Sequence, residues 1–329
     1  MDDHSANQPR ISVLEPGYAS YQTEASILAR HGATLVPVAE EDDAVEALKA
    51  IDPVAILVRE RLVGQAELSA CPNLKIVQRY GVGVDNIDCA EATRRGIFVA
   101  NVPTYGAEHE VSDHALGLYL ALQRRIVTRD AEVRSGQWDI GQAQPIMGRG
   151  ASTLGLIGYG RIGAQARKKF AVFGFSRVLV SDPSLTQSAA REDGVEVSDV
   201  DTICSEADVI SLHAPLTSIT HHIIDQRRIA LMKPTTLVIN VSRGGLIDET
   251  ALADALSSGA LSGAGLDVFE TEPPALDHPL RLTPNTILTD HSAWYSERSA
   301  RALQETAAQQ IAKVMDGNPP DHWVNRWPS

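Results

Sequence analysis

The sequence is poor in most of what secreted, membrane-spanning and nucleic-acid-binding proteins rely on. It has three cysteines in 329 residues, Cys71, Cys89 and Cys204, and no two are spaced as CxxC. They read as small buried hydrophobes rather than as a disulfide framework or a thiolate metal site. No apolar run approaches the ~18 residues that a membrane span needs. The opening MDDHSANQPR is polar and acidic, so no signal peptide is expected and the reading is a cytoplasmic protein. Aromatic residues make up 5% of the chain, too few for a base-stacking platform. Positive charge is scarce as well: 29 Lys and Arg face 42 Asp and Glu, for a net charge of −13. Such a surface repels phosphate backbones, which argues against general nucleic-acid binding. Any anionic ligand must then find a local cation.

What the chain does have is alternation. Its length fits two domains of roughly 100–200 residues. ISVLEP (11–16), ATLVPV (33–38), VAILV (54–58), LKIVQ (74–78) and IFVAN (97–101) are short apolar runs. Helical stretches at 23–30, 42–50, 63–70 and 88–95 separate them, which predicts parallel strands joined by crossover helices. Residues 105–135 hold no strand signal. Val111, Ala115, Leu118 and Leu122 line one face of a long helix there, a natural boundary between two α/β units. The alternation resumes with strands at 152–157, 177–182, 208–213, 236–242, 263–269 and 285–290. Helices fit at 161–173, 199–205, 225–231 and 248–258. Pro103, Pro145 and the Pro273–Pro274 pair mark loops. A last helix spans 296–316, and the tail after it is expected to be irregular.

The sharpest motif is Gly158-Tyr-Gly160-Arg161-Ile162-Gly163, between a strand and a helix. In that context the first glycine permits the tight turn, the second lets a pyrophosphate approach and the third lets helix and strand pack closely. The helix N-terminus offers its free N–H groups to the phosphates. Asp182 ends the next strand, where an acid accepts hydrogen bonds from the adenosine ribose. Its charge would repel a 2′-phosphate, and no Arg or Lys stands in 182–187 to offset it, so NAD is favoured over NADP.

Three further strand ends carry polar residues. Arg243 follows the strand 236–242, Asp267 falls within the strand 263–269 with Glu272 just past it, and His291 follows the last strand. Ligands bind beyond the carboxyl ends of parallel strands, so these side chains should converge on one crevice. Arg243 can hold a carboxylate with two parallel bonds. His291 can exchange a proton with a carbonyl or hydroxyl oxygen, and Glu272 would favour its charged form. Other histidines read blandly. His109 and His114 belong to helix packing. His221 and His222 are not expected to bind a metal, because adjacent side chains usually point apart and no third ligand is near in sequence.

Together these segments resemble the D-isomer-specific 2-hydroxyacid dehydrogenase family. The matching pieces are RYGVGVDNID (79–88), residues 100–125, GLIGYGRIG (155–163), INVSRGGLID (239–248), GLDVFETEPP (265–274) and HSAWYSE (291–297). The resemblance implies two Rossmann- or flavodoxin-like parallel-sheet domains with an interdomain active-site cleft. Residues 1–102 plus 295–329 would form the substrate domain and 103–294 the NAD-binding domain. It implies an Arg243–Glu272–His291 catalytic set, with the amides of Val82 and Gly83 on the substrate carboxylate. His213, Ala214, Pro215, Val241 and Ser242 would line the dinucleotide, and Asp267 would lie near the nicotinamide. Family members pair as homodimers through the cofactor domain. HSAWYSE and HHIID (221–225) are most similar to the C-terminal-binding-protein branch, which uses an aromatic residue after the histidine, here Trp294. That branch also raises an alternative, an NADH-sensing, corepressor-like interaction protein. The same apparatus could equally serve a phosphonate, sulfonate or phosphite. Otherwise the substrate would be a 2-oxo or 2-hydroxy acid with an apolar side chain. Asp290 departs from the family, which commonly has Pro there.

Overall fold

The computed structural model describes residues 8–39, 41–138, 146 and 151–326, so the expected loop at Pro145 lies outside the described residues. The chain divides into two compact units, Met1–Gly106 with Ser296–Ser329, and Ala107–Tyr295.

In the first unit, β1 (Arg10–Leu14), β2 (Thr34–Val38), β3 (Ala55–Val58), β4 (Ile76–Arg79) and β5 (Phe98–Ala100) pair in parallel, in the order β2-β1-β3-β4-β5. The helices α1 (Gln22–Leu28), α2 (Ala44–Ile51), α3 (Gln65–Ser69) and α4 (Cys89–Arg94) connect them. All four residues of β3 are buried, as expected for a central strand covered on both faces. Asp43 and Asp88 start α2 and α4 by accepting backbone N–H groups of the first turn.

The second unit opens with α5 (Ala107–Gln123) and α6 (Ile126–Arg134), broken apart by Arg125 in the left-handed region at φ 54°. Its seven strands are β6 (Thr153–Ile157), β7 (Arg177–Ser181), β8 (Glu196–Val197), β9 (Val209–Leu212), β10 (Leu237–Asn240), β11 (Gly263–Leu266) and β12 (Thr286–Leu288). They pair in parallel in the order β12-β11-β10-β9-β6-β7-β8, with the winding reversing between β6 and β9. The crossovers are α7 (Arg161–Ala171), α8 (Gln187–Asp193), α9 (Val200–Glu206), α10 (Gln226–Ile229), α11 (Glu249–Ser257) and α12 (Pro279–Leu282). Glycines in β11 let α5 lie on the sheet: a Cβ on Gly265 would come within 2.9 Å of Leu118.

Two strands stop earlier than their apolar runs. β10 ends at Asn240, whose side chain accepts from Ser242 N and donates to the Arg243 carbonyl, closing a turn. β11 ends at Leu266, which leaves Asp267 one residue beyond the strand rather than within it. The short α8, β8 and α12 carry too few periodic residues to stand out in the sequence.

The chain then returns to the first unit as α13 (Glu297–Met315), capped by Ser296. Gln304 on α13 donates to the Ser20 carbonyl and to the buried Glu24 carboxylate of α1. The tail is less irregular than expected. Asn101 N donates to the His322 carbonyl and Val324 N to the Val99 carbonyl, while the Asn325 side chain accepts from Val99 N. Trp323 meets Phe98 edge-on at 4.8 Å. The tail thereby covers the free edge of β5.

Candidate active site and nucleotide site

The fingerprint loop is built by steric exclusion. Gly158 follows β6 at φ 94°, and a Cβ there would lie 2.5 Å from Ala214 N. A Cβ on Gly163 would run into the Gly158 carbonyl. A Cβ on Gly160, by contrast, would meet no other atom of the described residues within 4 Å, and no side chain of theirs caps α7 there. Among the described residues, the space over Gly160 at the start of α7 is thus open to a pyrophosphate, as a dinucleotide requires. Asp182 sits just past β7 and faces this loop. It accepts from Tyr159 N at 2.6 Å and from Ser184 N and Oγ at 2.8 and 2.6 Å. Burial would raise its pKa, but the hydrogen bonds of Ser184, Tyr159 and Leu185 outweigh that and hold the carboxyl below its ordinary value. Ser242 Oγ ties the loop after β10 to the loop after β9 through the Ala214 carbonyl at 2.6 Å. His213, Ala214, Pro215, Val241 and Ser242 therefore belong to adjoining loops on the same sheet end. His213 Nε2 shares a hydrogen bond with Ser211 Oγ at 2.9 Å, while its buried Nδ1 has no partner among the described residues. Burial pushes its pKa down to about 4, so the ring is neutral.

The second cluster lies past β10, β11 and β12. His291 Nδ1 and Glu272 Oε2 are 2.6 Å apart, and Glu272 Oε1 accepts from Phe269 N at 2.9 Å. The carboxylate is thereby fixed at one end by backbone and offers the other to the imidazole. His291 stands in the left-handed region at φ 55°, a conformation that needs outside support. Asp267 supplies it. This fully buried carboxylate accepts from Thr289 Oγ1 at 2.5 Å, Ser292 N at 3.0 Å and Ala293 N at 2.9 Å, and its backbone carbonyl accepts from His291 N at 2.8 Å. His114 on α5 braces the same turn through Thr289 at 2.9 Å. Residue patterns in the sequence did not mark this positioning role of Asp267 and His114. Its only trace there is an acid at the end of an apolar run, with a histidine on a distant helix.

Arg243 joins the pair through backbone. A Cβ on Gly244 would collide with the Phe269–Glu270 peptide, so the Arg243 turn lies directly on the segment that carries Glu272. The guanidinium donates to the Ser242 carbonyl at 2.8 Å. Trp294 is half-buried, with its ring edge-on to Tyr295 at 5.7 Å. Asp290 is exposed. Val82 and Gly83 lie in the first unit, in the loop after β4, where the Asn101 side chain donates to the Val82 carbonyl at 2.6 Å. Arg79, beside that loop, is ion-paired with Glu60 at 2.7 Å. His221 and His222 do not point apart: their rings stack with centroids 4.0 Å apart, beside Glu270. Among the described residues, no helix is long and apolar enough to cross a membrane.

Residues 116–293 match the model of the D-isomer specific 2-hydroxyacid dehydrogenase NAD-binding domain. The chain is 40% identical to a D-3-phosphoglycerate dehydrogenase of Methanocaldococcus jannaschii over 87% of its own length, but it spans only 54% of that relative. It is 38% identical to a glyoxylate reductase of Thermococcus litoralis over 86% of each chain. A solved structure of D-lactate dehydrogenase from Aquifex aeolicus, complexed with NAD and lactic acid, superposes with a TM-score of 0.86 at 28% identity, covering 97% of this chain and 100% of that one. With an NAD-binding fingerprint, the paired sheets and these relatives in agreement, the chain belongs to the D-isomer-specific 2-hydroxyacid dehydrogenase family.

Proposed function

We propose that this protein is an NAD-dependent oxidoreductase that interconverts a D-2-hydroxy acid and its 2-oxo acid. The observation that carries the reading is the 2.6 Å contact between His291 Nδ1 and Glu272, on the loops beyond the same sheet that bears the dinucleotide fingerprint. NAD, when bound, supplies or accepts the hydride. The chain's own residues do the rest. Arg243 pairs with the substrate carboxylate. The resemblance assigns the Val82 and Gly83 amides to that carboxylate as well. Glu272 holds the imidazole by Nδ1, so proton exchange with the substrate oxygen falls to Nε2. The ionised Asp182 disfavours a 2′-phosphate and sets the preference for NAD.

The side chain of the acid is read as apolar. Trp294 follows the catalytic turn and offers an indole to it, and Arg79 is already neutralised by Glu60 rather than available to a second anionic group. Relatives named for glyoxylate, 3-phosphoglycerate and lactate define the competing choices. A turnover panel with NADH and NADPH, using glyoxylate, pyruvate, 4-methyl-2-oxopentanoate and 3-phosphohydroxypyruvate, decides among them. The highest kcat/KM should fall on the branched apolar acid with NADH. A preference for the phosphorylated acid would remove the apolar reading, and absence of turnover with every acid would remove the dehydrogenase reading. Ile126, Val127 and Val133 on α6 and Trp138 after it expose apolar surface, which supports pairing of two chains through the second unit.

A further inference from the structure

We propose that His221, His222 and Glu270 form a binding site for a divalent transition-metal ion of the zinc class. Neighbouring residues rarely converge, and here the backbone makes them do so. Thr217 and Thr220 close a tight turn, with Thr217 N donating to Thr220 Oγ1 at 2.8 Å and His221 N to the Thr217 carbonyl at 2.9 Å. His222 then adopts the left-handed region at φ 48°, its N–H held by the Gly245 carbonyl at 2.8 Å. That twist swings the second imidazole alongside the first.

The third group comes from the loop after β11. Glu270 N donates to the buried Glu249 carboxylate at 2.8 Å, which fixes the Glu270 backbone. Its Oε1 lies 2.7 Å from His222 Nε2 and 3.5 Å from His221 Nε2, and one donor atom from each residue lies within 4.8 Å of the others. Ligands about 2.0–2.1 Å from a tetrahedral ion stand about 3.4 Å apart, so the 3.5 Å spacing already suits a shared ion, while the 2.7 Å hydrogen bond must open to admit one. All three side chains retain solvent access, which leaves them free to rotate to that spacing and leaves room for water to complete the shell. Two imidazoles and one carboxylate select zinc, nickel or copper over magnesium or calcium.

Chelator-stripped full-length protein titrated calorimetrically with zinc should take up one ion per chain at this site. Magnesium should give no heat. His221→Ala and Glu270→Gln should each weaken zinc binding by more than about tenfold. Glu270→Gln keeps the shape of the side chain and an acceptor for His222. If His221→Ala unfolds, His222→Asn reads the same loss, since asparagine tolerates the left-handed region. Zinc uptake unchanged in folded variants would overturn the site, as would no uptake by the wild type at millimolar zinc. In either case the cluster would be an ordinary histidine–glutamate ion pair.

Discussion

The two sheets solve the same problem with opposite chemistry at one position. In each unit the first strand turns into its first helix beside the point where the strand order reverses, the place where open parallel sheets bind ligands. In the second unit that turn holds Gly158, Gly160 and Gly163, and the space over Gly160 is empty among the described residues. In the first unit it carries Glu15, whose carboxylate accepts Glu60 N at 3.0 Å and Arg61 N at 2.8 Å from the loop after β3. One sheet leaves its first turn open to a visiting anion, while the other fills that turn with an anion of its own, which takes the amides of the loop after β3. Topology alone does not make a nucleotide site; the occupant of the switch point does.

The largest expected effect strikes the loaded end of the second sheet. His291→Ala should lower kcat by about 10²–10⁴-fold with NADH affinity little changed, as fluorescence titration and turnover would measure. A variant with near-normal kcat would remove the histidine from proton transfer. The next prediction separates fold from ligand within one loop. Gly163→Ala forces a Cβ into the Gly158 carbonyl and should cost about 1–3 kcal/mol in denaturant unfolding. Gly160→Ala meets no other atom of the described residues and should leave stability nearly intact while NADH affinity falls. Equal stability losses in both would mean that the open space over Gly160 has no bearing on the ligand.

A pH experiment probes the same sheet end. His213 titrates near 4 when folded and near 6.5 when unfolded, so between those values the unfolded chain binds more protons. Stability from this residue is present above about pH 6.5 and lost as pH falls through 4, on the order of 3 kcal/mol in all. His213→Asn should flatten that part of the stability–pH curve. The smallest effect belongs to the first sheet. Glu15→Gln keeps one acceptor and removes a charge, and should cost about 1 kcal/mol without conferring NADH binding. NADH binding by the isolated Glu15 turn, revealed as a second equivalent per chain, would break the comparison.

How much of this could be read from residues depends on whether a feature is local. The strand–glycine–helix passage at 153–171 is local, and so is the alternation that defines both sheets, so pattern alone reveals them. Glu272 and His291 are recognisable by type, but their pairing depends on a turn that Asp267 clamps from a neighbouring strand and His114 from α5. No spacing rule connects those positions. The convergence of His221 and His222 is not legible either, because the usual extended backbone separates neighbours and the left-handed His222 reverses that. The pairing of Arg79 with Glu60 is equally non-local, since Glu60 arrives from the end of a different strand. The tail looked structureless because its order comes from the edge of β5 rather than from any periodicity of its own.

The return of α13 and the tail to the first unit also sets an order of events during synthesis. The ribosome releases β1 to β5 first, but the helix that packs on α1 and the segment that seals β5 follow the second unit, about 190 residues later. At roughly 5–20 residues per second, the first sheet waits about 10–40 s with one face and one edge uncovered. The second unit, continuous in sequence, can finish inside that interval. The part of the molecule made first is therefore completed last, and during the wait the unsealed β5 edge is the surface that a chaperone would have most reason to hold.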